Sequence, residues 1–392
     1  MAATDASRKS NTSILNSLAF RGLVYQVLLG AGVILLGWYL YNNAHLNLQR
    51  QGIATGFDFL GERAGFGIGE SLISFDSGQS YGRALLVGII NTLHVAAFGV
   101  VLATVLGVTM GIARVSSNWL ISKLASAYVE VCRNVPVVLH VIFWAAVIRA
   151  LPPPRQALNP FDGVFITNRG VIYPVPVENA IYPWVAIALA VGIAGAILFA
   201  RWAGRRRELT GRHVPAFWPS IGIVLGLPLL TWLAGGAPLE WSVPALRGFN
   251  FQGGASLTPE FVGLLVGITV YTGAFIAEIV RAGIQSVPHG QVEAARAVGL
   301  RPGLVMRLVI LPQALRVIVP PTTSQYLSLT KNSSLGVLIG YPDLVNVGNT
   351  TLNQTGQALE AISIMMAVYL MISLSISIFM NFYNRLVAIR ER

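Results

Sequence analysis

ALLVGIINTLHVAAFGVVLATVLGVTMGIA, residues 84–113, decides the fold class, because these 30 consecutive positions contain no Asp, Glu, Lys or Arg. A helix needs about 20 mainly apolar residues to cross the hydrocarbon of a bilayer, so this run spans a membrane with tilted or projecting ends. Working outward, seven further spans are expected at 22–41, 124–150, 182–200, 216–234, 258–283, 314–341 and 358–384. The composition agrees: 54% of the 392 residues are hydrophobic and 11% charged, against about 25% charged in a soluble domain. A soluble globule is excluded, and the chain reads as an all-α polytopic membrane protein of about eight transmembrane helices.

Arg8, Lys9 and Arg21 precede the first apolar run as they would in a signal peptide, but no small-residue cleavage site follows it, so 22–41 reads as a retained span. Basic residues are held on the cytoplasmic side during insertion. With the N-terminus inside, the inner segments carry 18 Lys or Arg and the outer ones 7, so both termini are expected in the cytoplasm. The formal charge of +11 is thereby explained by Arg flanking apolar segments, and no nucleic-acid partner is expected. Cys132 is the only cysteine and the five histidines have no ligand spacing, so neither a metal site nor a catalytic residue is expected. The outer loops, such as LPPPRQALNPFDG at 151–163, are rich enough in Pro, aromatic and polar residues to be ordered. They either meet a partner outside or simply close off the spans.

The connection between spans six and seven, GQVEAARAVGLRPGLVMRLVILPQALRVIVPP at 290–321, is unusually long and amphipathic. Good helix formers fill Gln291 to Val298, Gly299 can take the positive φ that ends a helix, and Pro302 can begin the next. Two short helices set at an angle make a knob at the membrane surface. The small Ala294 and Ala295 allow close approach of another protein, and Glu293 can accept charge-assisted hydrogen bonds.

Glu293-Ala294-Ala295, then Gly299, then Val309-Ile310-Leu311-Pro312 resembles the EAA loop of binding-protein-dependent ABC importer permeases, with Val309 in place of the usual Ile. PQALR after it, LTKNSSLGVLIG at 329–340, GIINTL at 88–93, VEVCRNVP at 129–136 and AEIVRAGI at 277–284 look like the polar amino-acid, or histidine/glutamine permease-like, subfamily. The resemblance covers roughly 84–150 and 256–385. It implies a type I importer core divided as follows: a tail, first span and outer loop at 1–83; the first core block at 84–150; an insertion at 151–255; and the second core block at 256–392 with its coupling loop at 290–312. The insertion is similar to that of the general L-amino-acid or glutamate/glutamine/aspartate/asparagine branch, in which two different permeases pair.

The resemblance further implies a second permease subunit, two ATPase subunits that hold ATP and Mg, and a periplasmic amino-acid-binding protein. Glu293, Ala294, Ala295, Gly299, Leu311 and Pro312 would couple the spans to the ATPases. The only lysines, Lys9, Lys123 and Lys331, stand in no P-loop, so the chain is expected to have no cofactor and no ATPase site of its own.

Ionisable groups inside spans are costly and call for a role. Glu130 with Arg133, and Glu278 with Arg281, are three apart and can pair on one helix face as structural clamps. Lys331 lies 15 residues beyond Arg316, about 22 Å along an unbroken helix, although Pro320-Pro321 argues against a straight one. With Asn332, Ser333 and Ser334 it could hold a substrate carboxylate or shape a gate, or equally satisfy carbonyls at a helix break. The pairs Gly107/Gly111 and Gly222/Gly226 have the spacing of close helix contacts. An ion-coupled carrier or channel is the competing class; it would need mid-membrane carboxylates or visible inverted halves. A membrane enzyme would need a clustered nucleophile and base, and none is seen.

Overall fold

The computed structural model describes residues 18–50, 52, 55–211 and 215–387. Arg8, Lys9, Arg212, Arg390 and Arg392, which contribute to the orientation count, lie outside the described residues. Seven helices are long and apolar enough to cross a membrane, and a sharply bent pair makes up to eight. The chain divides into two compact units, one formed by residues up to His94 with those from Pro342 onward, the other by Val95–Tyr341.

In the first unit, α1 (Leu18–Arg50) is apolar and exposed throughout its hydrophobic stretch. The start of α2 (Tyr81–Arg114) packs with α11 (Leu344–Thr355) and α12 (Ala358–Val387) around Phe59, Tyr81, Leu85, Leu344, Val347 and Met365. The segment between the last two spans is largely helix α11. Asp343 caps it by accepting the Asn346 N–H at 2.9 Å, and Gly356 ends it at φ +71°. With Asn and Thr through its length it is too polar to read as a span.

In the second unit the third expected span, 124–150, is not one helix. It breaks into α3 (Trp119–Asn134) and α4 (Val137–Arg149), bent by 109°. Pro136 causes the break by forcing Val135 out of the helical region, to φ −99° and ψ 131°. The His140 ring nitrogen bridges it by pairing with the Cys132 carbonyl at 3.2 Å.

An insertion follows. Strands β1 (Leu158–Phe161), β2 (Val164–Thr167) and β3 (Gly170–Tyr173) lead through β4 (Val175–Pro176) to the hairpin of α5 (Ile181–Thr210) and α6 (Phe217–Ala234). The chain returns by β5 (Trp241–Ser242), β6 (Ala245–Arg247), β7 (Asn250–Gln252) and β8 (Ala255–Leu257). The spans are helical as expected, and the strands, which the sequence reading did not place, are confined to the loops. All pairings are antiparallel, in the orders β1-β2-β3-β8, β4-β5 and β6-β7. Pairing β3 with β8 joins the two ends of the insertion, so that α4 and α7 (Pro259–Gln285) still pack directly.

Helix α7 is the centre of this unit, with 61% of its apolar window buried. It is approached through glycine on two sides. Gly263 and Gly267 face the α4 backbone at Ala145 and Val141, while Gly107 and Gly111 of α2 face Ile276 and Val280. A Cβ on Gly107 or Gly111 would lie 2.6 Å from those side chains, whereas one on Gly222 or Gly226 would meet nothing within 4 Å. Only the first of the two GxxxG pairs is therefore a helix contact within the described residues. Gly107→Val is expected to destabilise the purified chain by about 1–3 kcal/mol through overpacking, read as a lower melting temperature in detergent. Gly226→Val should leave melting unchanged, and equal effects would sink this account.

Candidate functional site

The knob expected at 290–312 is built as follows. Helix α8 (His289–Ala297) ends at Gly299, φ +80°, where the Gly299 N–H bonds the Arg296 carbonyl at 2.9 Å and the Leu300 N–H bonds the Ala295 carbonyl at 3.2 Å. This double closure fixes the turn and satisfies carbonyls that a bare helix end would leave open. Pro302 starts α9 (Pro302–Val305), and a π-helical turn over Met306–Ile310 joins it to α10 (Leu311–Asn332). Pro312 has no N–H and its ring crowds the preceding turn, which widens so that the Leu311 N–H reaches the Met306 carbonyl. Gln313 Nε2 donates to the Val309 carbonyl at 3.0 Å.

Of the six knob residues, Glu293, Ala294, Gly299 and Leu311 are exposed, Pro312 is half-buried, and Ala295 is turned inward at 7% exposure. Val298 at 77% and Leu308 at 58% extend the outward apolar surface and were not singled out from the sequence. Ala295 and the fully packed Val305 anchor the knob from beneath.

Helix α10 runs through Pro320-Pro321 without a break. The hydroxyls of Thr322 and Thr323 donate to the carbonyls of Ile318 and Val319, at 2.7 and 3.2 Å. Inward it places Ala314, Thr322, Leu329 and Thr330; outward, at three- and four-residue spacing, it places Val317, Pro321, Ser324, Ser328 and Lys331. Lys331 is exposed and makes no ion pair among the described residues. The polar residues after it do not share that face equally. Asn332 is half-buried, Ser333 is fully buried with its hydroxyl on the Thr330 carbonyl at 2.7 Å, and Ser334 bonds the Lys331 carbonyl at 2.7 Å. The exposed hydroxyls nearest Lys331 along its own face are instead Ser328 and Ser324, which spacing from Lys331 alone would have found.

The two expected intrahelical clamps reduce to one centre. Glu278 accepts from Arg281 at 2.5 and 3.2 Å and from Arg114 at the end of α2, and Arg133 of α3 stands 3.8 Å away. Arg133 also covers the Phe275 ring at 5.2 Å. Glu130 is exposed and takes no part in an ion pair among the described residues, so its expected pairing with Arg133 is corrected. The bend at Pro136 lays α3 across α7 and so brings Arg133 to a carboxylate on another helix. One acid thus serves three guanidiniums and pins α2 and α3 to the end of α7 that leads into the knob.

At the other end of this unit Arg149 donates to Glu260 Oε1 at 3.0 Å and to the Ile339 carbonyl at 2.7 Å. Between these ends, Thr104 and Tyr326 share a hydrogen bond of 2.8 Å, tying α2 to α10. In the first unit Asn91 Nδ2 donates to the carbonyls of Glu70 and Pro342, at 2.8 and 2.9 Å. The Thr92 hydroxyl accepts the Leu344 N–H at 3.0 Å. These contacts give the GIINTL segment a physical role in holding the start of α11. Asp343, fully buried beside them in the connection before α11, has Tyr369 Oη at 3.4 Å. Burial pushes its carboxyl up to about 6 despite the hydrogen bonds it accepts.

Residues 209–392 match the family of binding-protein-dependent transport system inner membrane components. A general L-amino acid transport system permease protein of Rhizobium johnstonii is 49% identical over 376 residues, covering 95% of this chain and 94% of its own. A glutamate/glutamine/aspartate/asparagine transport system permease protein of Rhodobacter capsulatus is 40% identical over 411 residues, covering 95% of each. A crystal structure of an amino acid ABC transporter aligns over 78% of this chain and 94% of its own at 20% identity, with a TM-score of 0.46.

Two outcomes are expected from the charged groups. Glu278→Gln strands three cations and should cost about 3 kcal/mol, seen as a lower melting temperature, while Glu130→Gln should change melting little; the reverse order would refute the shared clamp. Asp343 keeps its proton to higher pH when folded than the unfolded value of about 3.9. Its burial is therefore harmless below about pH 4, and stability falls as the pH rises to about 6, by about 3 kcal/mol in all. Asp343→Asn, which preserves the cap, should remove that slope in pH-dependent unfolding of the purified chain.

Proposed function

Because this chain belongs to the binding-protein-dependent transport system inner membrane components, we propose that it is the permease subunit of an ABC importer for polar L-amino acids. It pairs with a second, different permease, two ATPase subunits hold the ATP and Mg, and a periplasmic binding protein delivers the substrate. The membrane is the bacterial inner membrane, with both termini in the cytoplasm on the balance of basic residues. Substrate class follows the relatives, whose names specify general L-amino acids and glutamate, glutamine, aspartate and asparagine.

The observation that carries this reading is the knob itself. A docking surface of Glu293, Ala294 and Val298 rests on a turn closed by Gly299 and passes through Leu311-Pro312 into α10. A lever must be stiff to convert ATPase closure into movement of spans, and the doubly bonded turn with Ala295 and Val305 packed beneath supplies stiffness. The clamp at Glu278 sets the other root of the lever at the end of α7.

Lys331 belongs to the substrate path in this reading, with Ser324 and Ser328 rather than the buried Ser333. A lipid-facing helix has no use for an exposed stripe of two serines and a lysine, whereas a passage shared with a second permease does. There the ammonium can hold an amino-acid carboxylate.

Reversing the charge with Glu293→Lys should lower co-purification of the ATPase subunits and abolish ATP-driven amino-acid uptake in proteoliposomes, while membrane insertion is retained. Unchanged association and uptake would overturn the lever. Uphill transport by the purified chain alone on an ion gradient would instead favour a self-sufficient carrier.

A further inference from the structure

The α5–α6 hairpin has no part in the coupling or the path described above. Its helices pack chiefly on each other, through Gly192 against Ile223 and Val224, and leave their remaining surfaces exposed. At the end of α5, Arg201, Arg205, Arg206 and Arg207 are all exposed, and among the described residues none of them is in an ion pair. Arg206 is held over the Trp202 ring at 5.1 Å.

Beside this cluster lies an open groove of about 560 Å³, lined by Ala200, Phe217, Ser220, Ile221, Val224 and Leu225. Its exposed surface is wholly apolar, and the Ser220 hydroxyl lies buried beneath it. Ala203 and Arg207 follow Ala200 by three and seven residues, so they stand above the groove on the same face of α5. The positive-inside bias accounts for arginines at this end of a span. It does not account for an apolar groove beneath them on the same face of α5.

We propose that this groove is a binding site for an anionic phospholipid of the cytoplasmic leaflet. One acyl chain lies along Phe217, Ile221, Val224 and Leu225. The phosphodiester is held by Arg207 and its neighbours. Charge selects the lipid. A zwitterionic headgroup carries its own cation beside the phosphate, so four exposed guanidiniums that form no ion pair among the described residues favour a net negative one.

The test uses the full chain in phosphatidylcholine nanodiscs with a trace of phosphatidylglycerol bearing a photoreactive acyl chain, the labelled peptides being mapped by mass spectrometry. Labelling within 216–225 is expected to exceed that from the same probe on a phosphatidylcholine headgroup, and to fall about fivefold for each guanidinium removed in Arg206→Gln and Arg207→Gln. These variants retain Arg201 and Arg205 to preserve orientation. Ala200→Trp, which fills the groove and keeps every charge, should abolish labelling there. Equal labelling by the two headgroups would overturn the site, as would undiminished labelling of Ala200→Trp. So would crosslinks in the assembled importer that place a helix of the second permease in the groove.

Discussion

The carboxylate of Glu278 is the constraint on which the inner end of the second unit depends. Three guanidiniums from α2, α3 and α7 converge on it. Charge placed near hydrocarbon persists only where it is paired, and one acid among three bases makes every member of the group depend on it. Four residues after α7 ends, the knob begins. A rigid end to α7 is therefore also a rigid mount for the knob.

Proline and glycine shape the rest of that lever by opposite means. Gly299 supplies the one positive φ that lets α8 turn back, while Pro302, Pro312 and Pro136 act by what they forbid. The consequences differ with context. At Pro136 the helix breaks by 109°, at Pro312 it relaxes into a π turn, and at Pro320-Pro321 it continues, packed along α7. The same residue type thus gives three outcomes in three packing contexts.

The segment at 151–255 adds two helices and short strands while α4 and α7 still pack directly. Antiparallel pairing of β3 with β8 brings its two ends together, and the α5–α6 hairpin leaves and returns from that closed base. Its glycine-packed seam at Gly192 needs no help from other spans. The hairpin consequently leaves its remaining surfaces, the α5 arginines among them, exposed.

The sequence alone determined that the chain spans a membrane about eight times, that a helix–glycine–helix knob lies at 290–312, and that this knob belongs to an importer permease. The first two follow from local rules, apolar run length and glycine's tolerance of positive φ, and the third from the resemblance of the knob's residues to a family motif. Tertiary structure alone decided which acids and bases meet. Spacing paired Glu130 with Arg133, but a proline bend carried Arg133 to Glu278, 145 residues away in the chain. It also decided which of two identical glycine spacings is a contact, and that Ser333 turns inward while Ser324 and Ser328 share the face of Lys331. The physical reason is common to all three. Periodicity states which residues lie on one face of a helix, but only the packing of that helix against others states what the face meets.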